Sequence, residues 1–248
     1  MFVILIIGLI QFLLASHGLA GRPLTTDDAG TAEKGEFQLE TGLDVIRQHH
    51  GGGEISPSAA LSYGLFETMD IGIASSCLFV HPKEGENDKG FGDTEVKLKH
   101  RLLEEDIWMP AFAVTGRAKI PTASESRGLG SGKVDFGINA IFSKELSKRF
   151  FFHLNLGYTF IGEHGAKNEV NYSGAFQFVL SEKWALVGEV VGVNNFNGHK
   201  GDDPLSGLIG TNYAITKNIV WDAGIEVGMN KAAPAFRFTT GLTFLFKP

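Results

Sequence analysis

The chain has 248 residues, 43% hydrophobic and 20% charged, with a formal charge of −6, 32 glycines, 20 phenylalanines and a single cysteine. An acidic balance with no basic stripe argues against a nucleic-acid surface. A lone Cys77 supplies neither a disulfide framework nor a cysteine–histidine zinc site.

The first elements in chain order are a leader and a polar lead. Residues 1–14, MFVILIIGLIQFLL, form an apolar run broken only by Gly8 and Gln11, and ASHGLA follows with small residues Gly18 and Ala20. The run falls short of the about 20 residues that a bilayer-spanning helix needs. It has the pattern of a secretory signal cut near Gly21. The segment 21–35, GRPLTTDDAGTAEKG, comes before any strand, and its TTDD could cap a turn or a short helix. Three readings stay open for it: a disordered periplasmic lead, a plug folded into a lumen, or a docking strip for an inner partner.

From residue 36 the pattern has period two. In EFQLETGLDV (36–45), Phe37, Leu39, Leu43 and Val45 share one face, and Glu36, Gln38, Glu40 and Asp44 share the other. Such alternation is the mark of a strand with one apolar face. It recurs near 55–64, 70–80, 93–102, 109–120, 133–143, 150–160, 169–180, 184–194, 205–215, 219–229 and 235–246. These make about 12 strands, most close to the ~9–11 residues with which a tilted strand crosses a bilayer.

The links alternate between short ones (65–69, 144–149, 181–183, 216–218, and a looser 103–108) and long polar ones (48–54, 81–92, 121–132, 161–168, 195–204). Short periplasmic turns and long extracellular loops are the habit of outer-membrane barrels. Trp108, Trp184 and Trp221 lie at or near strand starts beside short links, and Tyr63 lies near a strand end. That placement suits an interfacial aromatic girdle. A soluble sandwich or lipocalin-like barrel would also alternate, but it would have to pack these aromatic faces inward, where they are too bulky for a small barrel. The expected fold is therefore all-β, an antiparallel transmembrane β-barrel of about 12 strands over residues 36–248, in the bacterial outer membrane. Its expected surroundings are outer-membrane lipid and, during insertion, the barrel-assembly machinery.

If the aromatic faces meet lipid, the charged faces line the lumen, since Lys or Arg on the lipid face at mid-depth costs about 2–4 kcal/mol. The expected lumen residues are Glu40, Asp93, Glu95, Lys97, Lys99, Arg101, Arg117, Lys119, Lys133, Asp135, Glu189, Asp222, Glu226 and Arg237, with Asp44 and Asp70 beside them. Bases concentrate on 93–102, 109–120 and 133–143, and acids on 36–45, 184–194 and 219–229. Two opposed walls would tune a selective pathway. Alternatively, long side chains would pair across a narrow lumen and plug it.

A hydrolase is the third reading. His153 and Asn155 share the inward face of their strand, with Ser143 and Ser173 on neighbouring strands as candidate nucleophiles. The loop histidines (His49, His50, His81, His164, His199) follow no metal-ligand spacing, and GLGSG (128–132) precedes no helix, so neither a metal nor another cofactor is expected.

Three stretches, PLTTDDAGT, FGDTEVKLK and GRAKIPT…GLGSGKVDFG, resemble the bacterial outer-membrane family labelled MetA-pathway of phenol degradation, whose members are often simply called transporters. The likeness is strongest from 22 to 146. It implies an outer-membrane barrel passing small, aromatic or hydrophobic molecules, and it brings no catalytic residue set. The ending departs from the usual barrel pattern, because Phe246 is followed by Lys247 and Pro248.

Overall fold

The computed structural model describes residues 21–196 and 201–247. The expected signal at 1–20, with its cut, and His199 lie outside the described residues. Thirteen strands form one antiparallel sheet: β1 (Phe37–Arg47), β2 (Gly53–Phe66), β3 (Met69–His81), β4 (Asp88–Phe91), β5 (Thr94–Leu103), β6 (Ala111–Ile120), β7 (Asp135–Ser147), β8 (Phe150–Phe160), β9 (Glu169–Val179), β10 (Trp184–Asn194), β11 (Leu205–Ala214), β12 (Ile219–Gly228) and β13 (Phe236–Phe246). β1 pairs with both β2 and β13, and β2 pairs with β3, so the sheet closes into a 12-strand barrel. Closure satisfies every ladder and leaves no edge, as a bilayer requires. β4 is a short extra piece on the outer end of β3, separated from β5 by Gly92 and Asp93.

The expected strands and the observed ones agree in number and order, and the differences are local. β7 continues to Ser147, which reduces the expected link at 144–149 to a turn at Lys148 and Arg149. β2 and β3 extend to a two-residue turn at Glu67 and Thr68. In both places the alternating pattern fades before the hydrogen bonding does. The looser periplasmic link at 104–110 is ordered by Asp106, whose carboxylate accepts the amides of Trp108 and Met109 at 2.7 and 2.8 Å. The Met109 and Trp108 bonds hold that carboxyl below its usual range.

The register sets the faces. Outward positions carry exposed Ile71, Ile73, Leu98, Ile138, Leu156 and Ile209. At the periplasmic end Phe37 lies 4.6 Å from Tyr63 and 5.5 Å from Phe246, ring centre to ring centre, on three adjacent strands. Trp184 meets Tyr213 edge-on at 5.4 Å. These form the aromatic belt expected where an amphipathic ring sits between water and lipid. Among the described residues the fully buried apolar cluster, by contrast, is only Ala29, Ala113 and Ile141, which a packed soluble core could not be.

One expected outcome tests the inside-out arrangement. Ile73→Arg places a charge on the lipid face near mid-strand and lowers stability by about 2–4 kcal/mol. The denaturant midpoint of vesicle-inserted protein measures it.

Candidate functional site

Residues 21–35 lie inside the barrel, against its inner wall. The backbone meets the strands in nearly the order in which they stand around the ring. Arg22 donates to Thr239 Oγ1 (2.6 Å) and the Thr240 carbonyl (2.9 Å) on β13, and its Nε lies 3.6 Å from Asp222 Oδ2 on β12. Its guanidinium passes over Gly42 and Gly241, where a Cβ would collide with it. Pro23 rests on Gly210 and Gly224 in the same way.

Further round, the Thr25 amide donates to both oxygens of Glu189 on β10 (2.8 and 3.0 Å). The Thr26 amide and hydroxyl donate to Oε2 (2.8 and 2.7 Å). Asp27 exchanges two bonds with the Asn155 amide on β8, at 2.9 and 2.8 Å. Lys99 on β5 reaches Asp27 Oδ1 at 2.9 Å and the Asp28 carbonyl at 3.1 Å. The Ala29 amide donates to Ser143 Oγ on β7 (2.8 Å), and the Ala32 amide donates to Asp70 on β3 (3.2 Å). The Gly35 amide then bonds the Gly64 carbonyl on β2, and the chain enters β1. Lys247 ties the exit of this belt to Glu33 at 2.5 Å, a bond that holds its ammonium above the usual range.

The belt is a collar across the lumen. TTDD neither caps a helix nor hangs free: Thr25 and Thr26 cover an acid, and Asp27 covers a base. A carboxylate buried at 5% exposure, as Glu189 is, needs donors to offset its lost hydration, and two consecutive amides with the Thr26 hydroxyl provide them. A cavity of ≈ 90 Å³ remains at the collar, lined by Arg22, Asp28, Glu36, Gln38, Lys97 and Lys99. A more open space of ≈ 340 Å³ lies on its extracellular side, between Arg22, Glu40, Ser58, Ser76 and Glu95.

Glu40, Glu95, Lys97, Lys99, Arg117, Lys119, Asp135, Glu189, Asp222, Glu226 and Arg237 fall on inner-face register positions. β5 and β6 stand half-way round the ring from β11 and β12, so the basic wall does face Asp222 and Glu226. One expected residue sits elsewhere, and two lie at the two ends of the inner face. Lys133 is a correction: β7 begins at Asp135, and Lys133 is exposed in the loop before it. Asp93 lies in the break between β4 and β5 at the outer mouth, where it meets Lys119 (3.6 Å) and the Ala123 amide (3.0 Å). Arg101 is drawn to the periplasmic rim by the Glu67 carbonyl and Glu104.

Ser143 Oγ does stand 2.8 Å from His153 Nδ1, the spacing of a nucleophile and a base. Yet the same oxygen accepts the Ala29 amide, and His153 is 5% exposed beneath the collar. In this arrangement the pair serves as an anchor. Sequence reasoning did not single out Arg22 or Thr239, and it read the threonines of TTDD only as a cap for a turn or short helix. The only available signal was a polar run directly before the first strand.

The family described as "Putative MetA-pathway of phenol degradation" matches residues 20–246. No curated protein matches. Among solved structures, the COG4313 outer membrane channel from Pseudomonas putida F1 is similar at a TM-score of 0.69 and 12% identity, covering 90% of this chain and 100% of that one. The NanC porin gives 0.61 and 10%, covering 84% and 98%, and the KdgM porin gives 0.59 and 9%, covering 84% and 99%. At these identities the likeness establishes a shared outer-membrane barrel fold.

Glu189→Ala tests the collar's anchoring. It leaves the Thr25 and Thr26 amides without their acceptor, and bonds to a charged group are worth about 1.5–3 kcal/mol each. Hydrogen exchange at residues 25–27, followed by mass spectrometry, should accelerate by roughly tenfold or more, while the amides of β10 stay protected.

Proposed function

This chain belongs to the family of the MetA-pathway of phenol degradation, and from that premise we propose that it is a passive outer-membrane pathway for small molecules, narrowed by its own N-terminal collar. In this reading residues 1–20 are the export signal and residues 21–35 are the collar. The observation that carries it is the way the lumen is filled. A barrel built only as a rigid body would close its interior with packed side chains. Here, among the described residues, spaces bordered by charged and hydroxyl groups remain in the interior, and the collar is held by individual hydrogen bonds. Such bonds contribute about 0.5–1.5 kcal/mol net between neutral groups and about 1.5–3 kcal/mol to the charged Glu189, so each can be broken and remade on the timescale of solute passage.

The family label supports small aromatic or hydrophobic solutes, and the collar's narrowness supports a low size limit. Transfer through such a site needs no chemical step. Ser143 and His153 act as collar supports, because the Ser143 oxygen is already engaged by Ala29.

Purified protein in liposomes should permit swelling with small solutes and show low conductance in planar bilayers. Deleting residues 22–34 should raise conductance several-fold while the barrel keeps its shifted gel mobility before boiling. A correctly folded deletion variant with no conductance and no swelling would establish the closed structural barrel instead.

A further inference from the structure

Gly21 borders the ≈ 90 Å³ cavity at the collar. Its carbonyl accepts the Leu24 amide at 3.2 Å, and the next carbonyl, of Arg22, accepts Asn212 Nδ2 at 3.2 Å, so its place is fixed. A Cβ on Gly21 would collide with Glu40 Oε1 and come 3.8 Å from Gln38 Nε2. Gln38 and Glu40 stand nearer the Phe37 belt than Gly42, over which Arg22 lies, so Gly21 is on the periplasmic side of Arg22.

Charge in this cavity does not balance. Six carboxyl groups line it (Asp27, Asp28, Glu33, Glu36, Glu40 and Asp70), against three cations (Arg22, Lys97 and Lys99). Lys247 brings a fourth cation to Glu33, while Arg22 is shared with a further acid, Asp222, 3.6 Å away. Lys99 is engaged by Asp27, and Lys97 stands in the field of Asp27 and Asp70. Asp70 shows the deficit most clearly. It is 3% exposed, one of its oxygens accepts the Ala32 amide at 3.2 Å, and the other has no hydrogen-bond partner. Glu40 accepts a long bond from Gln38 Nε2 at 3.3 Å. Buried carboxylates need paired donors, so the cavity calls for one more small cation.

Resting on the pathway reading above, in which residues 1–20 are an export signal, we propose that this cavity seats the α-ammonium of Gly21. Small residues Gly18 and Ala20 precede it, the pattern that a signal-cleaving peptidase accepts. Hydrolysis of the Ala20–Gly21 bond adds water across it, leaving a carboxylate on Ala20 and an ammonium on Gly21. An α-amine is mostly protonated at neutral pH. The Gly21 nitrogen, a neutral amide in the precursor, thus becomes a cation with three donors, beside Glu40 and on the cavity that Asp70 lines. The cut itself completes the collar, whose first residue is anchored by charge only in the mature chain.

Protein purified from outer membranes tests this by mass spectrometry. Its intact mass should place the N-terminus at Gly21. An acetylating reagent at neutral pH should label the Gly21 amine about tenfold or more slowly in the folded barrel than in the urea-unfolded chain, ~1.4 kcal/mol of protection. E40Q/D70N, with its gel-mobility shift intact, should lose most of that protection, and E40Q alone serves where the double variant does not fold. A mature N-terminus elsewhere, equal labelling of folded and unfolded protein, or protection unchanged in the folded variant overturns the seat. Liposome swelling run on the same samples separates the two proposals. Swelling with an unprotected Gly21 amine overturns the seat alone. A protected amine without swelling supports the seat and overturns the passage reading.

Discussion

The structure depends on one constraint: in hydrocarbon, every backbone amide and carbonyl of a spanning sheet must find a partner within the protein. Twelve strands meet it by closing β1 onto β13. Once the ring is closed, the period of two assigns each residue to lipid or lumen without further choice. The apolar set, from Ile71 to Ile209, faces out, and more than a dozen ionisable groups are turned into a channel only twelve strands wide.

That concentration of charge creates a second problem, which the N-terminal segment solves. Burying Glu189, Asp222 and Lys99 without partners would be costly. The collar supplies two backbone amides and the Thr26 hydroxyl to Glu189, a guanidinium 3.6 Å from Asp222, and a carboxylate to Lys99. It is thus a set of counter-groups laid around the inner circumference, and the lumen is narrower where it runs. Glycines 42, 210, 224 and 241 give it room, because the wall must be thin where the belt passes. β5 and β6 stand across the ring from β11 and β12, with the collar between them at one depth and the larger space on its outer side.

Much of this was legible in the residues. Strand number, strand order, the aromatic belt and the inward face all follow from a pattern of period two, because alternate side chains on a strand must point opposite ways. Lys133 shows where that rule stops. It continues the alternation of β7 by parity, but no partner strand hydrogen-bonds it, and a residue beyond the ladder has no assigned face. Arg101 shows a similar limit at the other end, since a long side chain at a rim follows its nearest acceptors. The near meeting of Ser143 and His153 was anticipated as a possible site. Its meaning changed when Ala29, far away in sequence, proved to occupy the same oxygen.

By itself, the sequence determined the class of solvent this protein faces, since ten-residue alternation with aromatic ends suits only a closed sheet in a bilayer. It also determined which face of each strand carries the inward charges, though not where each strand ends. Only the tertiary structure decided which of those charges are satisfied, because that depends on contacts across the ring and on a segment with no period of its own. The lead at 21–35 carries no strand or helix signal, and its path is set by the wall it lies against.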